Sequence, residues 1–110
     1  MSKIYAITST GKTEKASLDL RFGKAENIVL FYLDKKHYKI LENPFKNSIT
    51  SGSDLIRFLK NEGVTIVITG EVGPKVSDLL KKEKLQLVLF QEEKIKVEDI
   101  IDRIAARKKK

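Results

Sequence analysis

Residues 64–74 read Val-Thr-Ile-Val-Ile-Thr-Gly-Glu-Val-Gly-Pro and predict a strand, a tight glycine loop and a helix in immediate succession. The β-branched run at residues 64–68 is typical of a strand that is buried on both faces of a parallel sheet. Gly70 ends the run, and Pro74 suits the first position of a helix, where a missing N–H costs nothing. The unit therefore predicts a helix N-terminus at the carboxyl end of a central strand, where open α/β sheets bind ligands, anions included.

The composition indicates one folded domain with a preference for anions. The chain has 110 residues, which predicts a single domain at residues 1–105 followed by a basic tail at residues 106–110. Hydrophobic residues make up 41% and charged residues 34%, as in ordinary globular proteins. The net charge of +7 favours anionic partners without choosing among nucleic acid, phosphate and an anionic cofactor. The chain has no Cys, which excludes disulfides and thiolate ligation of a metal or cluster.

The hydropathy pattern predicts a cytoplasmic protein that does not enter a membrane. No apolar run approaches the ~20 residues of a membrane-spanning helix. The N-terminus enters a strand pattern directly, without the features of a signal peptide. Many Lys and Glu residues, few Gln residues and the lack of Cys make the composition thermophile-like.

Periodicity and turn signals predict the element order β-β-β-α-β-α-β-α. The first helix is expected to have Ser51 or Ser53 as its cap and to end at Gly63, and the second is expected to begin at Pro74. The third has apolar residues at i, i+3, i+4 and i+7 from Val97. The predicted strands cover residues 3–9, 27–33, 38–42, 64–69 and 85–90.

Connection lengths predict the sheet topology. The short turn at residues 34–37 makes strands two and three an antiparallel hairpin, and right-handed crossovers join strands three to four and four to five. The expected α/β fold has a mixed five-stranded sheet of order 3-2-1-4-5 with strand 2 antiparallel. Strands one and four are then neighbours, and their carboxyl ends form a crevice. Residues 9–12, 51–53 and 70–75 are expected to converge there.

Three short motifs resemble those of a known family. Residues 21–25 read Arg-Phe-Gly-Lys-Ala, residues 42–44 read Glu-Asn-Pro, and residues 68–74 read Ile-Thr-Gly-Glu-Val-Gly-Pro. In this order and spacing they are similar to motifs of the dinitrogenase iron–molybdenum cofactor biosynthesis family, which includes the NifX, NafY and NifB carboxyl-terminal type domains. The resemblance implies a three-layer, ribonuclease-H-like fold that binds or carries iron–sulfur-based precursors of the nitrogenase cofactor.

The sequence departs from that family in the loop at residues 45–52. Family members often carry a His, and sometimes a Cys, in this loop, but here it reads Phe-Lys-Asn-Ser-Ile-Thr-Ser-Gly. Ligation of a cluster by imidazole or thiolate at this position is therefore not expected. The hydroxyl groups, backbone N–H groups and lysines that are present suit an oxyanion or the outer charge of an iron–sulfur or iron–molybdenum cofactor precursor.

The candidate binding residues each have an alternative interpretation. Residues 70–74 also fit a tight turn that binds nothing, and residues 51–53 fit a helix cap. Arg21 could instead pair with Asp19 or another acid on the surface while Phe22 fills the core. His37 is interpreted as an exposed turn residue, and no catalytic or metal-ligating residue is predicted. The candidate cofactor-binding residues are Ser9, Lys12, Arg21, Lys24, Ser51, Gly52, Ser53, Gly70, Gly73 and Lys75.

The sequence favours a non-enzymatic binding or carrier domain for an anionic metal cofactor or its precursor. The alternative is a regulatory or protein-interaction domain of the same fold that has lost cluster ligation. A nuclease is not expected, because strands one and four carry no carboxylate, and the chain offers no Ser–His or Cys–His pair for a nucleophile. Specific nucleic-acid recognition is not expected either, because the strands lack basic–aromatic alternation.

Overall fold

The structure, a computed structural model, describes residues 3–92 and 94–108. Five strands and three helices follow one another in the expected order. The strands are β1 (Ile4–Ser9), β2 (Asn27–Tyr32), β3 (His37–Glu42), β4 (Ile66–Thr69) and β5 (Gln86–Leu89). The helices are α1 (Ser51–Asn61), α2 (Pro74–Lys82) and α3 (Val97–Lys108).

The five strands form one mixed sheet of order β3-β2-β1-β4-β5, which confirms the predicted topology. β2 is antiparallel to both of its neighbours, with Ile7 opposite Val29 and Val29 opposite Ile40. β4 runs parallel to β1 and to β5, with Ile68 aligned with Ile7 and with Val88. Because β1, β4 and β5 are parallel, their carboxyl ends lie at one edge of the sheet.

Helices cover both faces of the sheet, which gives three layers. Successive strand residues point to opposite faces, so Ala6 and Val67 face one side while Ile7 and Ile68 face the other. The first side packs against α1 and α2, whose buried residues include Leu55, Leu59 and Leu80. The second side packs against α3 through Val97, Ile100 and Ile104.

Several element ends differ from the predictions. β4 begins at Ile66 instead of residue 64, because the backbone N–H of Val64 bonds to Leu59 O at the end of α1. β3 begins at His37, one residue earlier than predicted. Gly63 follows α1 with a φ of 85°, which explains why glycine ends this helix. α3 continues to Lys108, past the predicted boundary at residue 105, and residues 109–110 of the predicted tail lie outside the described residues.

The predicted cap of α1 is wrong. Thr50 occupies the N-cap position instead of Ser51 or Ser53, and it makes no side-chain bond to the helix backbone. The hydroxyl groups of Ser48 and Thr50 instead donate to Asp54 Oδ2 at 2.9 and 3.0 Å. A carboxylate in the first turn thus orders the loop before the helix. No helix in residues 3–92 and 94–108 is long and apolar enough to cross a membrane.

Candidate functional site

Residues 18–25, here called the cover segment, lie across the carboxyl ends of β1 and β4. The backbone N–H of Asp19 donates to Thr8 O, and that of Glu71 donates to Leu20 O, each at 2.8 Å. A Cβ atom at Gly70 would lie 2.5 Å from Leu20 Cα, so the two backbones are in direct contact. The crevice at the end of these neighbouring strands is therefore filled by the chain itself.

Two buried threonines hold the cover segment from below. Thr8 is the next-to-last residue of β1, Thr69 is the last residue of the neighbouring β4, and the two are 1% and 0% exposed. Thr8 Oγ1 donates to the carbonyl oxygen of Asp19 at 2.7 Å and lies 2.8 Å from Thr69 Oγ1. Thr69 Oγ1 donates in turn to the carbonyl oxygen of Arg21 at 3.3 Å. The sequence analysis did not predict that either residue belongs to the site, although a hydroxyl residue near the end of an apolar strand could have indicated it.

Asp19 is the buried anchor of the cover segment, with 3% of its surface exposed. Its carboxylate accepts hydrogen bonds from Arg21 Nε and Nη2 and from the backbone N–H groups of Arg21 and Glu26, all at 2.9–3.1 Å. Burial acts to raise the pKa of Asp19, but these hydrogen bonds and the Arg21 charge outweigh it and lower the pKa below its usual value. Asp19 is therefore an ionised structural group.

A second anchor comes from the loop after β3. Asn43 is 1% exposed, and its Nδ2 donates to the carbonyl oxygens of Gly23 and Ala25, both at 2.9 Å. Its Oδ1 accepts the backbone N–H of Phe45 at 3.0 Å. The Arg-Phe-Gly-Lys-Ala and Glu-Asn-Pro motifs are thus parts of one hydrogen-bonded unit.

The cover segment also packs against the start of α1. A Cβ atom at Gly23 would lie 2.6 Å from both Gly52 N and Ser51 Oγ. A Cβ atom at Gly52 would in turn lie 2.6 Å from Val76 Cγ2 in α2. Glycine at these two positions lets the cover segment, α1 and α2 approach closely.

An open depression of about 630 Å³, here called the basic depression, lies on the outer surface of the cover segment. It is lined by Arg21, Lys24, Glu26, Lys46 and Asn47. Two of its three cations have carboxylate partners. Lys46 Nζ lies 2.8 Å from Glu26 Oε1, and Arg21 is paired with Asp19. The hydrogen bond with Glu26 raises the pKa of Lys46 and lowers that of Glu26. Lys24 is exposed and donates instead to a neutral acceptor, the carbonyl oxygen of Ser48, at 2.7 Å.

The ten predicted site residues form one cluster and several outliers. Ser51, Gly52 and Gly70 meet the cover segment, which contains Arg21 and Lys24, and Ser53 lies in the groove between α1 and α2.

Ser9 is buried, and its Oγ bonds to the backbone of Gly11 at 3.1 Å. By strand alternation Ser9 faces α3, so the expected convergence of residues 9–12 with the other two segments is only partial. The remaining three are exposed at the surface: Lys12, Gly73 and Lys75.

The candidate site offers charge and backbone groups in place of metal ligands. Within residues 3–92 and 94–108, no three His, Asp or Glu side chains cluster in a way that could hold a metal ion. The chain's single His, His37, is exposed at the start of β3 and stacks against Tyr32. The chemistry available around the cover segment is therefore electrostatic attraction and hydrogen bonding.

Solved structures share this fold. The apo form of the orange protein from Desulfovibrio gigas matches with a TM-score of 0.84 and 22% identity, over 96% of this chain and 88% of that one. The crystal structure of PH0822 matches with a TM-score of 0.78 and 20% identity, over 94% and 91%. A Thermotoga protein, TM1290, described as a candidate NifB protein of the DUF35 family, matches with a TM-score of 0.79 and 24% identity, over 94% and 88%. A comparison with curated protein sequences finds no match.

A family model settles the relationship that the three motifs indicated. The model described as "Dinitrogenase iron-molybdenum cofactor" matches residues 3–107, which is nearly the whole chain. The match includes the cover segment, the loop after β3 and the glycine turn after β4. The chain belongs to the dinitrogenase iron–molybdenum cofactor family.

Proposed function

We propose that this chain is a non-enzymatic binding and carrier domain whose cargo is an anionic metal cofactor or its precursor. The single observation that carries the proposal is the position of Lys24, an exposed cation on the outside of the cover segment whose hydrogen bond goes to a carbonyl oxygen. Family membership supports the choice of cargo. The orange protein structure is of an apo form, which supports a bound group in a protein of this fold.

The donor set favours a cargo that brings its own complete set of ligands. The chain has no thiolate to offer, and its one imidazole lies on β3, outside the cover segment and the loop at residues 45–52. An anionic cluster with bound sulfide or oxide would need only positive charge, N–H donors and a fitted surface from the protein. Arg21 supplies a permanent charge, because a guanidinium group stays protonated at any physiological pH. Its side chain is 54% exposed while it pairs with Asp19.

The hydrogen bonding of the carboxylate and hydroxyl groups near the cover segment also favours a carrier over an enzyme. In the described residues around the cover segment, the ionised Asp19 is fully occupied by four hydrogen bonds, and the hydroxyl groups of Thr8 and Thr69 bond to carbonyl oxygens or to each other. Neither hydroxyl has a general base beside it, which a nucleophile would need. We therefore propose holding and transfer of the cargo without turnover.

The test is an anaerobic titration of the full chain with isolated iron–molybdenum cofactor, followed by absorption spectroscopy and size-exclusion chromatography. Molybdate and inorganic phosphate serve as oxyanion comparators. The expected result is co-elution and a spectral change with the wild type, and at least about tenfold weaker binding with Lys24→Gln, which corresponds to the loss of ~1.4 kcal/mol. Lys35→Gln, at an exposed lysine in the hairpin turn, is the control for the same change in net charge. No co-elution of the wild type at micromolar protein would refute the proposed cargo.

One observation favours the alternative, a regulatory or protein-interaction domain without cargo. Ile49 is 100% exposed, and it lies in the loop whose Ser48 carbonyl accepts from Lys24. Burial of this side chain against a protein partner would remove its apolar surface from water. The second function replaces the first if the titration shows no binding of the cofactor, and if cross-linking recovers a protein partner with the wild type but not with the Ile49→Ser variant.

A further inference from the structure

The two outer strands of the sheet differ in how their free edges are protected. Natural sheets discourage edge-to-edge pairing with charged residues, prolines and bulges. β3 carries Lys39 and Glu42, and its first residue is His37. β5 reads Gln-Leu-Val-Leu over Gln86–Leu89 and has neither a charge nor a proline. β5 therefore lacks protective charge and proline, and only its short length of four residues limits pairing at this edge.

The backbone of β5 has hydrogen-bonding groups directed away from the sheet. Gln86 N donates to Thr65 O and Phe90 N donates to Thr69 O, both at 3.0 Å. Because alternate residues of a strand direct their N–H and C=O groups to opposite sides, residues 87 and 89 direct theirs outward. In the described part of the chain no strand pairs with that side of β5.

Apolar side chains lie on both faces beside this edge. Leu89 is 45% exposed on the side that carries α2. On the other side, Val88 and Phe90 line an open groove of about 570 Å³ between the sheet and α3. A strand added to β5 would cover part of both surfaces, which would add hydrophobic burial to the main-chain hydrogen bonds.

We propose that a second copy of this chain pairs with β5 in antiparallel orientation, about a two-fold axis at Val88. Leu87 of one copy then exchanges hydrogen bonds with Leu89 of the other, and the two Val88 side chains face each other. The first charged residues on either side of the strand, Lys84 and Glu92, favour a second copy as the partner. This register brings Lys84, before the strand, towards Glu92 of the other copy, after its strand, and the symmetry repeats that opposite-charge pair.

The expected association is weak and depends on concentration. A strand of four residues supplies four main-chain hydrogen bonds, and Leu89 and the groove add a limited apolar area. Stable dimers bury at least ~1,200 Å². Sedimentation velocity of the full chain should show the average mass rising from 12.5 kDa towards twice that value as the concentration is raised to about 1 mM.

Leu89→Lys tests the edge, because it places a charge where natural edges carry one. It should weaken association at least about tenfold and leave the circular dichroism spectrum unchanged, since Leu89 is a half-exposed side chain. His37→Lys adds a positive charge at an exposed position on β3, at the opposite edge of the sheet, and should leave association unaltered. A wild type that stays monomeric throughout, or a dimer that Leu89→Lys does not weaken, overturns the proposal.

Charge reversal tests the register separately. Lys84→Glu and Glu92→Lys should each weaken the dimer, and the double variant should restore it, because the opposite-charge pairs re-form with reversed signs. Glu92 also pairs with Arg103 in the same chain at 3.1 Å, so thermal unfolding of each variant is measured as a check on the fold. Failure of the double variant to recover association while it stays folded overturns the proposed antiparallel register.

Discussion

The Arg21 guanidinium donates two hydrogen bonds to the Asp19 carboxylate, from Nε to Oδ1 at 3.0 Å and from Nη2 to Oδ2 at 2.9 Å. The carboxylate is buried, whereas the arginine side chain is 54% exposed. The pair therefore joins a buried anion at the end of β1 to a cation on the outer surface. Because both residues belong to the cover segment, this contact contributes both to the shape of that segment and to the charge of its outer surface.

Asp19→Asn should destabilise the fold by about 1–3 kcal/mol, because it removes the charge from four hydrogen bonds and places an amide donor against N–H groups. Urea unfolding at neutral pH measures this loss. Asp34→Asn, in the exposed hairpin turn, should stay within about 0.5 kcal/mol of the wild type. Equal effects of the two substitutions would mean that Asp19 does not anchor the cover segment.

The lowered pKa of Asp19 predicts a specific dependence of stability on pH. The folded state binds a proton to this group less readily than the unfolded chain does, so its stabilising effect is complete above the unfolded pKa. The effect is lost as the pH falls from that value through the lowered folded pKa. Urea unfolding at a series of pH values should show the difference between wild type and Asp19→Asn shrinking from about pH 5 downward. A difference that stays constant to about pH 2 would contradict this assignment.

Gly70→Ala and Gly73→Ala form a matched pair within one turn. A Cβ atom at Gly70 would lie 2.5 Å from Leu20 Cα, so the cover segment would have to move, which should cost about 1–3 kcal/mol. At Gly73 no atom lies within 4 Å of an added Cβ, and φ is −75°. Gly73→Ala should therefore cost about 1 kcal/mol or less, since only the N-cap preference for glycine over alanine is lost. Thermal unfolding of both variants gives the comparison, and the reverse ranking would disprove the contact.

Asn43→Ala should cost roughly 1–3 kcal/mol, because it leaves the buried carbonyl oxygens of Gly23 and Ala25 and the N–H of Phe45 without their partner. Asn47→Ala, in the exposed part of the same loop, is the control and should change stability by less than about 0.5 kcal/mol. Hydrogen exchange should be faster across residues 18–25 in the Asn43 variant. Unchanged protection there would show that this asparagine does not hold the cover segment.

The element order and the sheet order could be predicted, because both depend on local patterns and short connections. The β-branched run before Gly70, the proline at residue 74 and the apolar spacing from Val97 each show their element within a few residues. The short turn before β3 makes its hairpin antiparallel, and the handedness of the two crossovers then leaves one simple sheet. Errors occurred at element ends, as at Thr50, where a contact between side chains replaced the expected cap.

The arrangement of the candidate site required the folded structure. Thr8 and Thr69 are 61 residues apart, and Leu20 and Gly70 are 50 apart, yet each pair is in contact. Nothing in the local pattern of residues 18–25 shows that this segment crosses two strand ends, because its hydrogen bonds go to distant parts of the chain. Candidate site residues could be predicted from the sequence, because charged residues, glycine and proline are recognisable from the local sequence alone. Which of them meet, and which face the solvent, depends on how the sheet and helices pack.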